Sequence, residues 1–586
     1  MDVKRLFDVA YHQLELYPQP DAFCDKRDGK WVKTSTKEYI EKANSLSRGL
    51  IRKGIQPGDK VAVISNNRSE WNITDIAVQQ VGAILVPVYP TIHEDIYTYI
   101  FNDAEVKLVI VSDQELADKV NRIIDKVPTV NEIYSYVPVN GAKIWTELHM
   151  SADSSIDQEI EKRKAAIKGE DLVTLIYTSG TTGNPKGVML SHNNLLSNVL
   201  ACEPRLPVGK DATALSFLPV CHVYERMLLY LYQYTGVSIY FAESMETIGD
   251  NLREVQPNVF TAVPRLLEKV YDKIMAKGEE LTGVKRKLFF WAISLGEEYD
   301  VLGKSAMYKF KLGIARKLIF SKWKAALGGK VEVVASGSAA LNPRLARIFM
   351  AAGVPIMEGY GLTETSPVIS VNWEKDNLVR IGTTGTVIDK VTVKIADDGE
   401  ILVKGPNVML GYYKMPKETA EVIDAEGWFH TGDIGTLVEG KFLKITDRKK
   451  EIFKTSGGKY IAPQLMENKF KESRFIEQII IIGENQKMPG AFIVPAIDAV
   501  KEWAKLNGVD CGNTQEEIIK NGKVIERFQQ EVDHYNTFFG DWERVKRFEL
   551  TPDQWAVGTG EMTPTLKLKR KVIMAKYDGL FKKIYG

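Results

Sequence analysis

Four short apolar runs recur through the first third of this chain: VAVIS (61–65), ILVPV (84–88), KLVIV (107–111) and LVTLIYT (172–178). Helical patterns fill the sequence between them. A strand that is apolar at nearly every position needs cover on both faces, and helices crossing from one run to the next supply that cover. The alternation restricts the chain to an α/β architecture, a largely parallel sheet flanked by helices. With 586 residues there is enough chain for several domains and large cores. Residues 385–446 read differently. There GTVIDKVTVKI, GEILVKG and GKFLKITD alternate over short spans joined by Gly and Asp turns, which predicts a small β-barrel or curled sheet. After DRKKEI (447–452) mixed α and β patterning returns. IEQIIIIG (476–483) reads as an apolar strand, and TQEEIIKNGKVIERFQQEV (514–532) as a charged helical stretch.

Composition excludes several classes. A hydrophobic fraction of 44% and a charged fraction of 26% are those of a soluble globular protein, and a net charge of +1 gives no support for nucleic-acid binding. The four cysteines, Cys24, Cys202, Cys221 and Cys511, show no metal spacing and fit a reducing compartment. The first residues lack the apolar core of a signal peptide, and no uncharged run is long enough to span a bilayer. A cytoplasmic protein is expected.

YTSGTTGNPKGVML (177–190) is a phosphate loop of an unusual kind. A Walker-type loop ends in Gly-Lys-Ser/Thr, so that a hydroxyl reaches Mg²⁺ from a helix start. Here Lys186 is followed by Gly187 and by Val188, Met189 and Leu190, a strand, and only at Ser191 does a helix begin. Gly180 and Gly183 permit a tight concave turn whose backbone N–H groups can hold a polyphosphate. Thr178, Ser179, Thr181 and Thr182 add hydroxyls, and Lys186 a mobile charge. The competing reading is a surface turn rich in turn formers.

Two further constellations carry polar groups on small-residue turns. PIMEGYGLTETSP (355–367) presents Tyr360, an aromatic that can stack on a base, and Glu364, an oxygen ligand suited to Mg²⁺. Upstream, ASGSAAL (335–341) lets the backbone approach a flat ligand closely. In GWFHTGDIG (427–435), Asp433 reads as a carboxylate in a Gly-flanked turn, placed to grip a ribose diol, with Arg448 able to join it. Each has a plainer alternative as an ordinary turn or a solvated basic linker.

Together, in this order, these motifs closely resemble the adenylate-forming superfamily of acyl-CoA synthetases, adenylation domains and luciferases. YTSGTTGNPKGV resembles its phosphate loop, GYGLTET its adenine and Mg²⁺ segment, TGD its ribose carboxylate, DRKKEI its interdomain hinge, and PTLKLKR (564–570) its catalytic-lysine motif. Within the superfamily the chain is most similar to the long-chain fatty acyl-CoA synthetases, through PRLLEKVYDKI (264–274), the helical insertion at 275–330, FLPVCHVYERM (217–227) and KTSGGKYIAP (454–463).

The resemblance implies a large N-terminal domain, 1–446, of layered α/β sheets plus a small β-barrel, and a mobile α+β C-terminal domain, 447–586, turning about Asp447. It implies an ATP-dependent ligase that joins a fatty acid to coenzyme A through an acyl-adenylate, with Mg²⁺ held by Thr178 and Glu364. Lys567, Lys186, Glu364 and His222 would be catalytic, although a single histidine is as readily structural. The nucleotide would meet Thr178 to Gly183, Gly337, Ser338, Ala339, Glu358, Gly359, Tyr360, Gly361, Thr363, Asp433, Arg448 and Lys454. Alternatives from the same motifs are transfer to a carrier protein in place of CoA, adenylation of an aryl or amino acid, and a non-catalytic nucleotide-binding regulator.

One more segment stands out. Residues 304–330 hold eight Lys or Arg and no acidic residue, with Phe310, Ile314, Leu318 and Ile319 at helical spacing and Trp323 near the end. This is either a peripheral contact for an anionic bilayer or a core-packed helix with a solvated basic face.

Overall fold

A computed structural model describes residues 2–178, 184–244, 246–556, 558–563 and 567–586. Ser179, Gly180, Thr181, Thr182 and Gly183 of the phosphate loop lie outside the described residues.

The four apolar runs lie side by side. Strands Leu172–Thr178, Ile84–Val88, Lys60–Ile64 and Val106–Val111 are successive parallel neighbours in an eight-stranded sheet. Lys186–Ser191 returns antiparallel to Leu172–Thr178, and Gly411–Tyr412 adds to its far side. Ser191 then caps the helix His192–Cys202: its hydroxyl accepts from the Asn194 backbone N–H, and the Asn194 side chain accepts from the Ser191 N–H. This reciprocal cap satisfies two of the donors a helix start leaves open.

The second sheet has thirteen strands. Its parallel half includes Thr213–Ser216, Val259–Ala262, Val333–Ser336 and Ile356–Gly361. Of the small barrel or curled sheet expected for the short strands, the curled sheet is what forms: they continue this sheet in antiparallel fashion. Thr386–Val387 bridges Val368–Val371 to Phe442–Arg448, and the order ends at the edge strand Thr392–Ile395, so the set is curled but not closed. It keeps a small core of its own around Ile369, Ile401, Val403 and Leu443.

Helix Val223–Thr235 is clamped between the two sheets by buried charges. Glu225 accepts hydrogen bonds from Ser216 (2.5 Å) and Thr261 (2.7 Å) of the large sheet. Arg226 donates to Thr174 of the other sheet (2.8 Å) and makes a two-pronged pair with Asp75 (2.6 and 3.1 Å). Burial pushes the Glu225 carboxyl up to about 7. Removing one partner of such a buried pair typically costs ~3–5 kcal/mol, so this helix is held rigidly.

The C-terminal region is a three-stranded sheet, Ile476–Ile482, Gly490–Pro495 and Arg547–Leu550, with helices on both faces. The four consecutive isoleucines show why the run is apolar throughout. Ile479 and Ile481 pack in one core, Ile480 and Ile482 in the core on the opposite face. The helical stretch at 514–532 is two helices, Gln515–Lys520 and Gly522–Asn536. Asn521 breaks it by capping the second, its side chain accepting from the N–H groups of Lys523 and Val524.

Candidate active site

A cavity of about 2740 Å³ is lined by residues of both sheets and of the C-terminal region. Its polar side gathers residues that the sequence separates widely. Asp433, 4% exposed, accepts a hydrogen bond from the Tyr360 hydroxyl at 2.6 Å, and the Arg448 guanidinium lies 3.3 Å from its other oxygen. Asp433 is not in a turn, as its flanking glycines suggest. It sits within strand Phe429–Val438, opposite Arg448. Gly432, at φ +72°, and a register shift at Ile434/Gly435 bend the strand beside it.

Glu364 follows the turn that leaves Ile356–Gly361. Gly361 is required there, because a Cβ would lie 1.8 Å from the Pro367 carbonyl oxygen. The Glu364 carboxylate accepts from the Tyr412 hydroxyl at 2.9 Å, and the Lys186 ammonium lies 4.7 Å from the centre of the same Tyr412 ring. Lys186 is paired with Thr178 across the two strands. Thr178, Lys186, Glu364 and Tyr412 all line the cavity.

Gly337, Ser338, Ala339, Glu358, Gly359, Tyr360, Gly361 and Thr363 line it as well. Gly337 packs against Tyr224, whose ring would lie 3.0 Å from an added Cβ. Glu358 faces inward: its carboxylate accepts from the Leu341 N–H at 3.0 Å, and burial pushes it up to about 7. It braces the 337–341 turn. Lys454 is not brought to the cavity. It lies in the hairpin Phe453–Lys454/Tyr460–Ile461, its ammonium over the Tyr460 ring.

His222 caps helix Val223–Thr235, its Nδ1 accepting from the Tyr224 N–H at 3.2 Å. Nε2 therefore carries the proton of the neutral ring. Burial first, and Lys567 second, push the imidazole down to about 4, so it is neutral near pH 7. From His222 the helix turns Tyr224, Met227, Leu228, Leu231 and Tyr232 to the cavity, opposite Val259 and Val333. Nine residues of helix make this apolar wall about 14 Å long.

Lys567 comes from the C-terminal region. Its N–H donates to the Thr563 hydroxyl at 3.0 Å. Lys567 is exposed to the cavity, and desolvation by the surrounding protein, helped by Arg448, pushes its ammonium down to about 8 against the pull of Asp433, Glu364 and Glu451. Asp447, the position at which the sequence suggests a hinge, is buried in strand Phe442–Arg448 and accepts from the Gln464 N–H, at the start of helix Pro463–Phe470.

Among the described residues no group of three His, Cys, Asp or Glu is placed to hold a metal ion. Thr178 and Glu364 offer one hydroxyl and one carboxylate, a hard oxygen set. Such a set suits Mg²⁺ bound chiefly through substrate phosphates.

Tyr412 and Tyr224 escape sequence reading. Tyr412 reaches Glu364 only because Gly411–Tyr412 pairs with Lys186–Ser191.

The cavity combines a polar pocket of the kind that holds a nucleotide with a long apolar wall, and the comparisons agree with that class. The model of the AMP-binding enzyme family matches residues 11–413, and that of the AMP-binding enzyme C-terminal domain matches 450–586. The chain is 32% identical to a long-chain-fatty-acid–CoA ligase of Mycobacterium tuberculosis over 95% of this chain and 93% of that one. It is 32% identical to long-chain-fatty-acid–CoA ligase 1 of Homo sapiens over 93% and 81%. In fold it is similar to the adenylation domain of a carboxylate reductase from Mycobacterium chelonae (TM-score 0.75, 20% identity, 99% and 91% covered). It is similar also to an anthranilate CoA ligase in complex with anthranoyl-AMP (TM-score 0.72, 17% identity, 98% of both chains). The chain belongs to the AMP-binding enzymes, in their branch of long-chain fatty acid–CoA ligases.

Proposed function

We propose that this protein activates a long-chain fatty acid at the expense of ATP and transfers it to coenzyme A, in two steps at one centre. The observation that carries this reading is the meeting of Lys567 with Asp433, Glu364, Lys186 and His222 in one cavity, at the head of an apolar wall about 14 Å long.

A carboxylate is a poor acyl donor because its oxygen is a poor leaving group. In the first step a carboxylate oxygen attacks the α-phosphorus of ATP. The bond to the bridging oxygen breaks, pyrophosphate leaves, and an acyl-adenylate remains. The fatty chain lies along Met227, Leu228 and Leu231, where apolar burial stabilises it. Tyr360 faces the base, and Asp433 with Arg448 holds the ribose hydroxyls. Lys186 serves the β- and γ-phosphates. Lys567 neutralises charge that grows on the α-phosphate only as the bond breaks, the condition under which an interaction raises rate and not merely affinity. Thr178 and Glu364 would hold Mg²⁺, which would supply further positive charge to the phosphate oxygens. In the second step the thiol of CoA loses its proton to solvent, its sulfur attacks the acyl carbon, the bond from that carbon to the phosphate oxygen breaks, and AMP departs.

The two steps need different groups over one acyl–phosphate centre. A C-terminal domain, 447–586, that turns about Asp447 against an N-terminal domain, 1–446, meets that need, carrying Lys567 away once the adenylate has formed.

The test is pyrophosphate release over fatty acids from short to long, with and without CoA. Expected is release that favours long chains, and turnover that requires CoA. Failure of every fatty acid to release pyrophosphate would overturn the reading. Adenylate that accumulates with CoA and discharges only to a carrier protein would favour the carrier-linked alternative.

A further inference from the structure

The basic segment 304–330 divides its apolar side chains between two faces. Tyr308, Leu312, Ala315, Phe320 and Trp323 are buried in the core beneath the large sheet. The Tyr308 hydroxyl donates to the Leu295 carbonyl at 2.6 Å, and Arg316 donates to the carbonyls of Met350 and Ala351. The segment is thus fastened down: one face packs in the core, and Ile319 and Trp323 turn toward that core and not outward.

The opposite face is not covered. Met307, Phe310, Ile314 and Leu318 are 63, 67, 38 and 47% exposed. Their spacing of three, four and four residues places them in one row along helix Ala306–Ala315 and the turn Arg316–Phe320. Lys309, Lys311, Lys317 and Lys322 are exposed on the same two elements and the start of the next. Among the described residues none of these four has an ion-pair partner. Of the nearest carboxylates in sequence, Glu297 precedes the segment and is paired with Arg344 at 2.6 Å, while Glu332 follows it and accepts from the Asn258 side chain at 2.7 Å.

Charge decides what covers this row. A second copy would bring the same lysines against themselves. A surface of negative charge with an apolar interior satisfies both parts: the lysine stems lie along apolar surface while their ammonium groups reach phosphate. We propose that Met307, Phe310, Ile314 and Leu318, with Lys309, Lys311, Lys317 and Lys322, form a docking face for an anionic lipid bilayer. The contact lies in the plane of the interface, since among the described residues no helix is long and apolar enough to cross a membrane. It would bring the chain to a phase in which fatty acids concentrate, but it does not depend on the activity proposed above.

The experiment is co-sedimentation of the full chain with vesicles of phosphatidylglycerol and phosphatidylcholine, and of phosphatidylcholine alone, at low and high ionic strength. Binding is expected to the anionic vesicles at low salt, to fall at high salt, and to be absent from neutral vesicles. Phe310→Glu/Leu318→Glu should abolish it with the unfolding midpoint unchanged. Each of Lys311→Ser and Lys317→Ser should weaken it about fivefold, and these exposed positions carry the test if the double variant does not fold. Undiminished binding by the lysine variants, equal binding to neutral vesicles, or self-association through this face without vesicle binding overturns the proposal.

Discussion

Tyr360 donates its hydroxyl to Asp433 at 2.6 Å, joining the end of the parallel half of the large sheet to its antiparallel extension. The carboxylate is thereby oriented before any nucleotide arrives. A buried carboxylate is a charge-assisted acceptor for two hydroxyls, and such bonds contribute about 1.5–3 kcal/mol each. With two such bonds lost, Asp433→Ala should weaken ATP and AMP alike by about a hundredfold or more. Tyr360→Phe should weaken both less. Calorimetric titration with each nucleotide checks this, and wild-type affinities in Asp433→Ala would remove it from the site.

Lys186 rests over Tyr412 while Tyr412 binds Glu364. Lys186→Ala should therefore raise the ATP concentration needed for half-maximal pyrophosphate exchange and leave AMP affinity near wild type, because AMP lacks the β- and γ-phosphates. Tyr412→Phe should give a smaller effect in the same direction. An unchanged ATP dependence in Lys186→Ala would count against the assignment.

The apolar wall makes a steric prediction. Leu231 lies about 14 Å along the helix from His222, so Leu231→Trp should shorten the preferred acyl chain while sparing short acids. Competition between long and short fatty acids in the adenylation assay reads this directly, and an unaltered ratio of kcat/KM values would place the chain elsewhere.

Two ion pairs join the C-terminal region to helix Pro264–Glu279: Arg265 with Glu477, and Glu279 with Arg474. Glu477 and Arg474 lie in the C-terminal region that also carries Lys567. Partly exposed pairs contribute ~0–1 kcal/mol, so Arg265→Glu should slow adenylation by no more than about fivefold, and Glu477→Arg added to it should restore the rate. Absence of rescue in single-turnover adenylation would mean the pair does not govern closure.

Much of this arrangement was legible in the sequence for definite reasons. Strands buried on both faces leave uninterrupted apolar runs, and a Ser–Asn cap marks the helix at 191. The site motifs were legible because close backbone packing needs glycine, as at Gly337 against Tyr224 and Gly361 against the Pro367 carbonyl. What escaped depends on pairing between distant strands. Tyr412 has no local signal. Asp433 looks like a turn residue because a bent strand and a turn both use glycine. The extension of the large sheet looks like a separate barrel or curled sheet because alternation specifies strands and not their partners. Glu225 and Arg226 carry no local sign of burial, since only the fold brings Asp75, Ser216 and Thr261 around them.

Desolvation holds Lys567 at about 8, below the 10.5 of a free lysine. The ammonium prevails below that pH and is lost as pH rises through it. Since kcat/KM reports the free enzyme, adenylation should fall on an alkaline limb near pH 8, and residual activity in Lys567→Arg should lose that limb.

The central claim is that Lys567 acts in adenylation and is absent from thioester formation. It is tested by measuring the two half-reactions separately in Lys567→Ala: pyrophosphate release from ATP and a fatty acid, then transfer of preformed acyl-adenylate to CoA. Loss of one preorganised donor costs ~100- to 1,000-fold in rate, and the account predicts that loss in the first half-reaction with the second near wild type. Equal loss in both, with the fold intact, would contradict it.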